Sequence, residues 1–226
     1  MMHRKLSGSG RNGVKMSEKL KIGICRVGMI QTNCYLVMNQ ESGEAFIVDP
    51  GDDADRIEAA LMRMGAKPAA ILLTHGHFDH ILAVNELKTK YGIPVYASEN
   101  EEETLREPAR NLSGLHMCPT VIKADRLMQD SEEFSQAGFR ICCLHTPGHT
   151  PGSCCYYLPD EKVLFSGDTL FCSGAGRTDF PGGSMSSLVR SLHRLTEELP
   201  EQTDVFPGHD QPTTIGEEKM YNPFLG

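Results

Sequence analysis

Residues 74–80, Thr-His-Gly-His-Phe-Asp-His, put three imidazoles and a carboxylate into six consecutive positions, at His75, His77, Asp79 and His80. Polar groups at that density are costly to bury unless a bound ion compensates them. His75 and His77 are two apart, whereas neighbours on a helix face lie three or four apart, so the spacing predicts a loop. Apolar residues 69–73 lead into it as a buried strand, and residues 81–87 leave it with helical character. The cluster therefore belongs where a strand ends and a helix begins. Mixed imidazole and carboxylate donors suit zinc, iron or manganese, and ligands this close can serve one ion or two. One loop cannot surround an ion, so further ligands must come from elsewhere in the chain.

Three later segments share the construction of an apolar strand, a turn, and a glycine directly before a potential ligand. They are Pro147-Gly148-His149, Ser166-Gly167-Asp168 and Pro207-Gly208-His209, and Gly76-His77 makes a fourth. Glycine lets backbone approach a crowded centre, and loops at strand ends can converge from distant parts of a sequence. The four loops predict a single site.

Around them the chain reads as strands at 22–27, 33–38 and 45–48, a helix at 54–64 stopped by Gly65, and a short strand at 94–97. Residues 98–123 read as an irregular helical segment over one side of the site, its acidic run 99–103 being a solvated helix start. Strands follow at 139–144, 153–158, 162–165 and 203–206, with an amphipathic helix at 185–199. The pattern predicts an α+β fold, two sheets packed together with helices outside, a four-layer αβ/βα sandwich. Residues 1–18 lack any apolar period and predict a disordered tail before a domain at 19–226, with Met16 a candidate natural start.

The formal charge is -8, and four basic residues with no acid occupy positions 1–17, so the body is more acidic still. No Lys/Arg cluster is present to meet a phosphate backbone, which argues against nucleic acid as a partner. No run reaches the roughly 18 apolar residues of a membrane helix, and no apolar signal-peptide centre is present, so the expected location is cytoplasmic, with no membrane partner. The eight cysteines, including the pairs Cys142-Cys143 and Cys154-Cys155, read as reduced core residues. His3, His116, His145 and His193 read as surface or packing residues.

In order and content the four loops resemble the metallo-β-lactamase superfamily. Gly176-Arg177-Thr178-Asp179-Phe180 and the closing residues 213–219 with Asn222-Pro223-Phe224 look like its glyoxalase II-like hydrolases. The resemblance spans residues 20–226. It implies that His75, His77 and His149 hold one divalent metal, that Asp79, His80 and His209 hold a second, and that Asp168 bridges the two. Asp49 matches the family's supporting aspartate. The implied cofactor is a pair of divalent ions, zinc foremost with iron or manganese as options. The implied reaction is hydrolysis of a small-molecule thioester such as S-lactoylglutathione by a metal-bridging hydroxide, with Asp79 and Asp168 at the reacting centre. Arg177 reads either as a loop staple to Asp179 or as a contact for a substrate carboxylate, and Phe78 and Phe171 as walls of the metal pocket. Competing readings are a persulfide dioxygenase using a single iron, a lactonase, and a metal-binding module without catalysis.

Overall fold

A computed structural model describes residues 18–225. The expected tail, Met16 as a start, and His3 lie outside the described residues, except that Glu18 closes a turn before the first strand. Six strands form the first sheet in sequential order: β1 (Leu20–Val27), β2 (Thr32–Asn39), β3 (Glu44–Val48), β4 (Lys67–Leu72), β5 (Val95–Ser98) and β6 (Arg126–Met128). Helices α1 (Ala54–Met64), α2 (Phe78–Ile81), α3 (Val84–Tyr91) and α4 (Glu102–Arg106) fall within this half. The second half contributes β7 (Glu132–Gln136), β8 (Phe139–His145), β9 (Cys154–Leu158), β10 (Val163–Gly167), the small hairpin β11 (Leu170–Phe171) and β12 (Gly174–Ala175), helix α5 (Met185–Glu198), β13 (Asp204–Pro207), β14 (Thr213–Thr214) and α6 (Ile215–Tyr221). Its main sheet runs β14-β13-β10-β9-β8-β7.

Alternation along the strands builds the layers, because successive side chains on a strand point to opposite faces. On β2, Cys34 and Leu36 meet Ile57 and Leu61 of α1 in an outer core. Tyr35 and Val37 face the other way, into the core between the sheets, with Phe46, Phe139, Tyr156 and Phe165. On β10, Val163 and Phe165 join that central core while Leu164 turns outward to Leu188, Leu192 and Leu195 of α5. Three apolar cores between four layers give the expected sandwich. The same alternation separates the adjacent cysteines: Cys154 faces the central core and Cys155 the α5 side, and none of the eight forms a disulfide.

Helix α1 spans the predicted 54–64, and Gly65 ends it at φ 70°. Two expectations change. Residues 78–81 are a helical turn rather than loop, with extended His77 immediately before it. The helix expected over 81–87 starts later, at Val84, because Leu82 and Ala83 turn back to donate to the carbonyls of Gly51 and Pro50. The segment 98–123 is irregular and helical as expected, but Glu101 in its acidic run is buried and not solvated. No described helix is long and apolar enough to cross a membrane.

Phe165 packs against Tyr35, Phe46 and Phe206 with ring centroids 5.2, 6.3 and 5.7 Å away. Phe165→Ala is expected to lower metal-free stability by about 3–5 kcal/mol in urea unfolding. Leu127→Ala on the edge strand β6 should stay within about 1 kcal/mol of the parent. Equal losses in the two variants would contradict this account of the central core.

Candidate metal centre

Every candidate ligand leaves a strand end on the same rim of the sandwich. Residues after β4 supply His75 and His77 from extended chain and Asp79 and His80 from α2. His149 follows β8, Asp168 follows β10, and His209 follows β13. His75, His77 and His149 bring one ligand atom each to within 4.8 Å of one another, and so do Asp79, His80 and His209. Asp168 lies between the groups: its Oδ2 is 3.5 Å from His149 Nε2 and 3.5 Å from His209 Nε2, and its Oδ1 is 3.4 Å from His80 Nε2. The seven side chains named from the sequence thus come together at one place.

Three imidazoles have their Nδ1 proton directed outward, which leaves Nε2 for the centre; these tautomers follow from the partners present. His80 Nδ1 donates to Asp49 Oδ2 at 3.0 Å, and His75 Nδ1 meets Thr74 Oγ1 at 3.2 Å. His149 Nδ1 donates to the backbone carbonyl of Arg177 at 2.7 Å. Asp49 is itself fixed by Thr74, whose backbone N–H and hydroxyl donate to its two oxygens at 2.8 and 2.5 Å. Asp49 thereby orients His80. Although Asp49, His75 and His80 also form a close group, Asp49 Oδ2 is already occupied by these donors.

The inner atoms fit a cation. Nε2 of His75 and His80 and Oδ1 of Asp168 are buried without a hydrogen-bond partner, a costly state unless an ion takes their lone pairs. His77 Nδ1 lies 2.8 Å from His149 Nε2, a contact between two potential donor atoms for one ion. Burial and then the neighbouring imidazoles depress the basicity of His75 far below the usual range, and burial with His149 lowers His77 to about 3. Neutral imidazole is the form that binds a metal. Burial opposes ionisation of Asp79, but His80 and His209 outweigh it and hold the carboxyl well below its usual range. For His80 burial works against the charge, yet Asp79 and Asp168 raise its pKa well above the usual imidazole value.

The second half of the site is anchored by β2. Asn33 donates from its backbone to the Gly208 carbonyl at 2.8 Å and from Nδ2 to the carbonyls of Pro207 and Asp210, and the Tyr35 hydroxyl reaches the Pro207 carbonyl at 2.5 Å. A Cβ on Gly208 would fall 2.3 Å from Asp168 Oδ1 and 2.7 Å from His80, so only glycine permits this approach. Thr32 Oγ1 donates to Asp79 Oδ2 at 2.8 Å.

Above the ligands opens a cavity of about 340 Å³. Phe78 and Phe171 line it, as read from the sequence, together with Ile30, Leu112, Ala175, Arg177 and Phe180. Phe78 stacks on His116 at 3.9 Å, which gives that histidine its packing role. Arg177 closes both arms of its guanidinium on Asp179 at 2.7 and 2.6 Å and covers the Phe180 ring, the staple geometry. His145 bonds to Ser98 and the Met128 carbonyl away from the ligands. Thr32, Thr74, Glu101, Ile30, Leu112 and the Arg177 carbonyl were not singled out in the sequence. Thr74 and Thr32 carried a faint signal, as hydroxyls at the ends of otherwise apolar strands.

The sequence model of the Metallo-beta-lactamase superfamily matches residues 27–209. A probable metallo-hydrolase, YqgX of Bacillus subtilis, is 41% identical over 201 residues, covering 88% of this chain and 94% of that one. Hydroxyacylglutathione hydrolase GloC of Haemophilus influenzae is 36% identical over 210 residues, covering 91% and 98%. Among solved structures, BLEG-1 B3 metallo-beta-lactamase superposes with a TM-score of 0.85 at 45% identity, covering 91% of this chain and 99% of that one. TTHA1623 in a di-iron-bound form superposes with a TM-score of 0.80 at 36% identity, covering 90% and 100%.

Asp49→Ala removes the acceptor that orients His80. Metal affinity measured by chelator competition is expected to drop about 10–100-fold. An unchanged affinity would show that Asp49 serves folding alone.

Proposed function

We propose that this chain, which belongs to the metallo-beta-lactamase superfamily and is a metal-dependent hydrolase of it, cleaves a small-molecule thioester, of the kind represented by S-lactoylglutathione. The observation that carries this reading is the make-up of the cavity wall. Apart from the candidate ligands, its lining is apolar except for Arg177, and Arg177 is committed to Asp179. Among the described residues, no side chain lining the cavity outside the ligand set is a free proton donor for a leaving group. A thiolate, whose conjugate acid has a pKa of about 8.5, departs without such help, whereas an amide nitrogen needs it.

His75, His77 and His149 would hold one divalent ion, and Asp79, His80 and His209 the other, with Asp168 shared between them. Two such ions, zinc first among the options, would supply Lewis acidity towards the carbonyl and bring the pKa of a water down to about 7. Asp79, which would be anionic as a metal ligand, would accept a hydrogen bond and so orient the water instead of protonating the departing sulfur. Thr32 occupies one side of Asp79 Oδ2 and fixes the direction in which the carboxylate faces. Phe78, Phe171 and Phe180 pack beside the site and keep bulk water from the acyl group.

Metal content and a panel of S-acyl thiols, lactones and a persulfide test this reading. Thiol release from S-lactoylglutathione or a related thioester is expected, together with two equivalents of metal. His77→Ala should lower turnover about 10²–10³-fold, the scale seen when one group that stabilises the transition state is removed. Oxygen uptake on the persulfide with a single iron bound, or lactone turnover without thioester turnover, would replace it.

A further inference from the structure

Glu101 is 1% exposed and forms no ion pair among the described residues. Its Oε1 accepts the backbone N–H of Gly76 at 2.8 Å, and Gly76 sits between His75 and His77. Its Oε2 accepts the Thr150 hydroxyl at 2.8 Å and the Gly152 N–H at 2.9 Å, in the loop that begins with His149. Ser153 Oγ lies 2.7 Å from Thr150 Oγ1, so its proton can complete the chain Ser153 to Thr150 to Glu101. One carboxylate thus ties two ligand loops that are more than 70 residues apart in sequence.

We propose that Glu101 is a positioning residue that locks the His75/His77 loop onto the His149 loop, so that three imidazoles from two separate segments converge on one cation. The inference rests on the assignment of these histidines as a metal triad. Packing on both sides supports it. A Cβ on Gly152 would lie 2.2 Å from the Glu101 backbone nitrogen, and one on Gly76 would lie 3.2 Å from Oε1, so each loop is in close contact with the clamp. A carboxylate suits the position because every group it meets is a donor. A glutamine of the same shape could serve one loop with its oxygen but would turn an NH₂ towards the donors of the other. Burial raises the Glu101 carboxyl to about 7 against the pull of Thr150, Gly76 and Gly152, so the group is retained at an electrostatic cost that simple space filling does not require.

The test uses full-length protein in a His209→Ala background, where the second triad is broken and zinc reports on the first. Glu101→Gln is expected to weaken zinc binding about 10–100-fold by chelator competition. Thr150→Val alone, which removes one of the two donors to Oε2, should weaken zinc binding by less than Glu101→Gln does, and metal-free urea unfolding midpoints should move far less than the affinity. Unchanged zinc affinity in Glu101→Gln, or a loss matched by an equal fall in metal-free stability, would overturn the proposal. If His77→Ala in the same background leaves zinc binding intact, the triad assignment itself fails, an outcome distinct from failure of the clamp alone.

Discussion

Bringing seven imidazole and carboxylate side chains to one point sets ligand atoms against one another, and everything around the centre holds them there. Hydrophobic packing alone would let such a cluster separate, since each imidazole gains by turning towards water. Three of the five rings that face the centre are held by a hydrogen bond on the outer side. Asp49 holds His80, Thr74 contacts His75, and the Arg177 carbonyl holds His149. These outer partners are in turn fixed by backbone: Asp49 by the Thr74 N–H, and Arg177 by its own loop. Rigidity in the centre comes from strand ends, through two layers of hydrogen bonds.

The sandwich divides the work between its sheets. The first sheet delivers four candidate ligands on one short segment, and the second delivers three on three separate loops, so the second half of the site depends on more cross-chain contacts. Asn33 and Tyr35 on β2 cross from the first sheet to hold the His209 loop, and Glu101 crosses from the segment after β5 to hold the His149 loop. The two sheets are thus stitched together at the site by polar contacts as well as by the aromatic core beneath.

The ligand loops were legible because a glycine before a donor at the end of an apolar run is a local pattern. The layering was legible for the same reason, since alternation along β2 or β10 is written in consecutive residues. Glu101 was not legible. Nothing in a run of acids distinguishes the one whose carboxylate meets Gly76 and Gly152, because those partners are fixed only when three distant segments pack. The start of α2 was missed because a single helical turn has too few residues to show a period, and β6 was missed because a three-residue edge strand shows none. The cavity wall was half read: aromatic residues beside ligands were visible, whereas Ile30 and Leu112 come from segments with no ligand to mark them.

The segment containing Arg177 and Phe180 serves two ends with one backbone. Its carbonyl sets the orientation of His149, and three residues later Phe180 forms part of the wall against which a substrate would rest. Inheritance of a new wall shape there would disturb a ligand at the same time, so drift in this loop is tightly limited. The Ile30 side chain carries no such second duty. A change of wall shape that leaves every ligand in place is therefore open at the Ile30 side chain in the β1–β2 turn, whereas the segment after α4 also accepts the Phe78 N–H through the Asn111 carbonyl at 2.8 Å, where the turn carrying Asp79 and His80 begins.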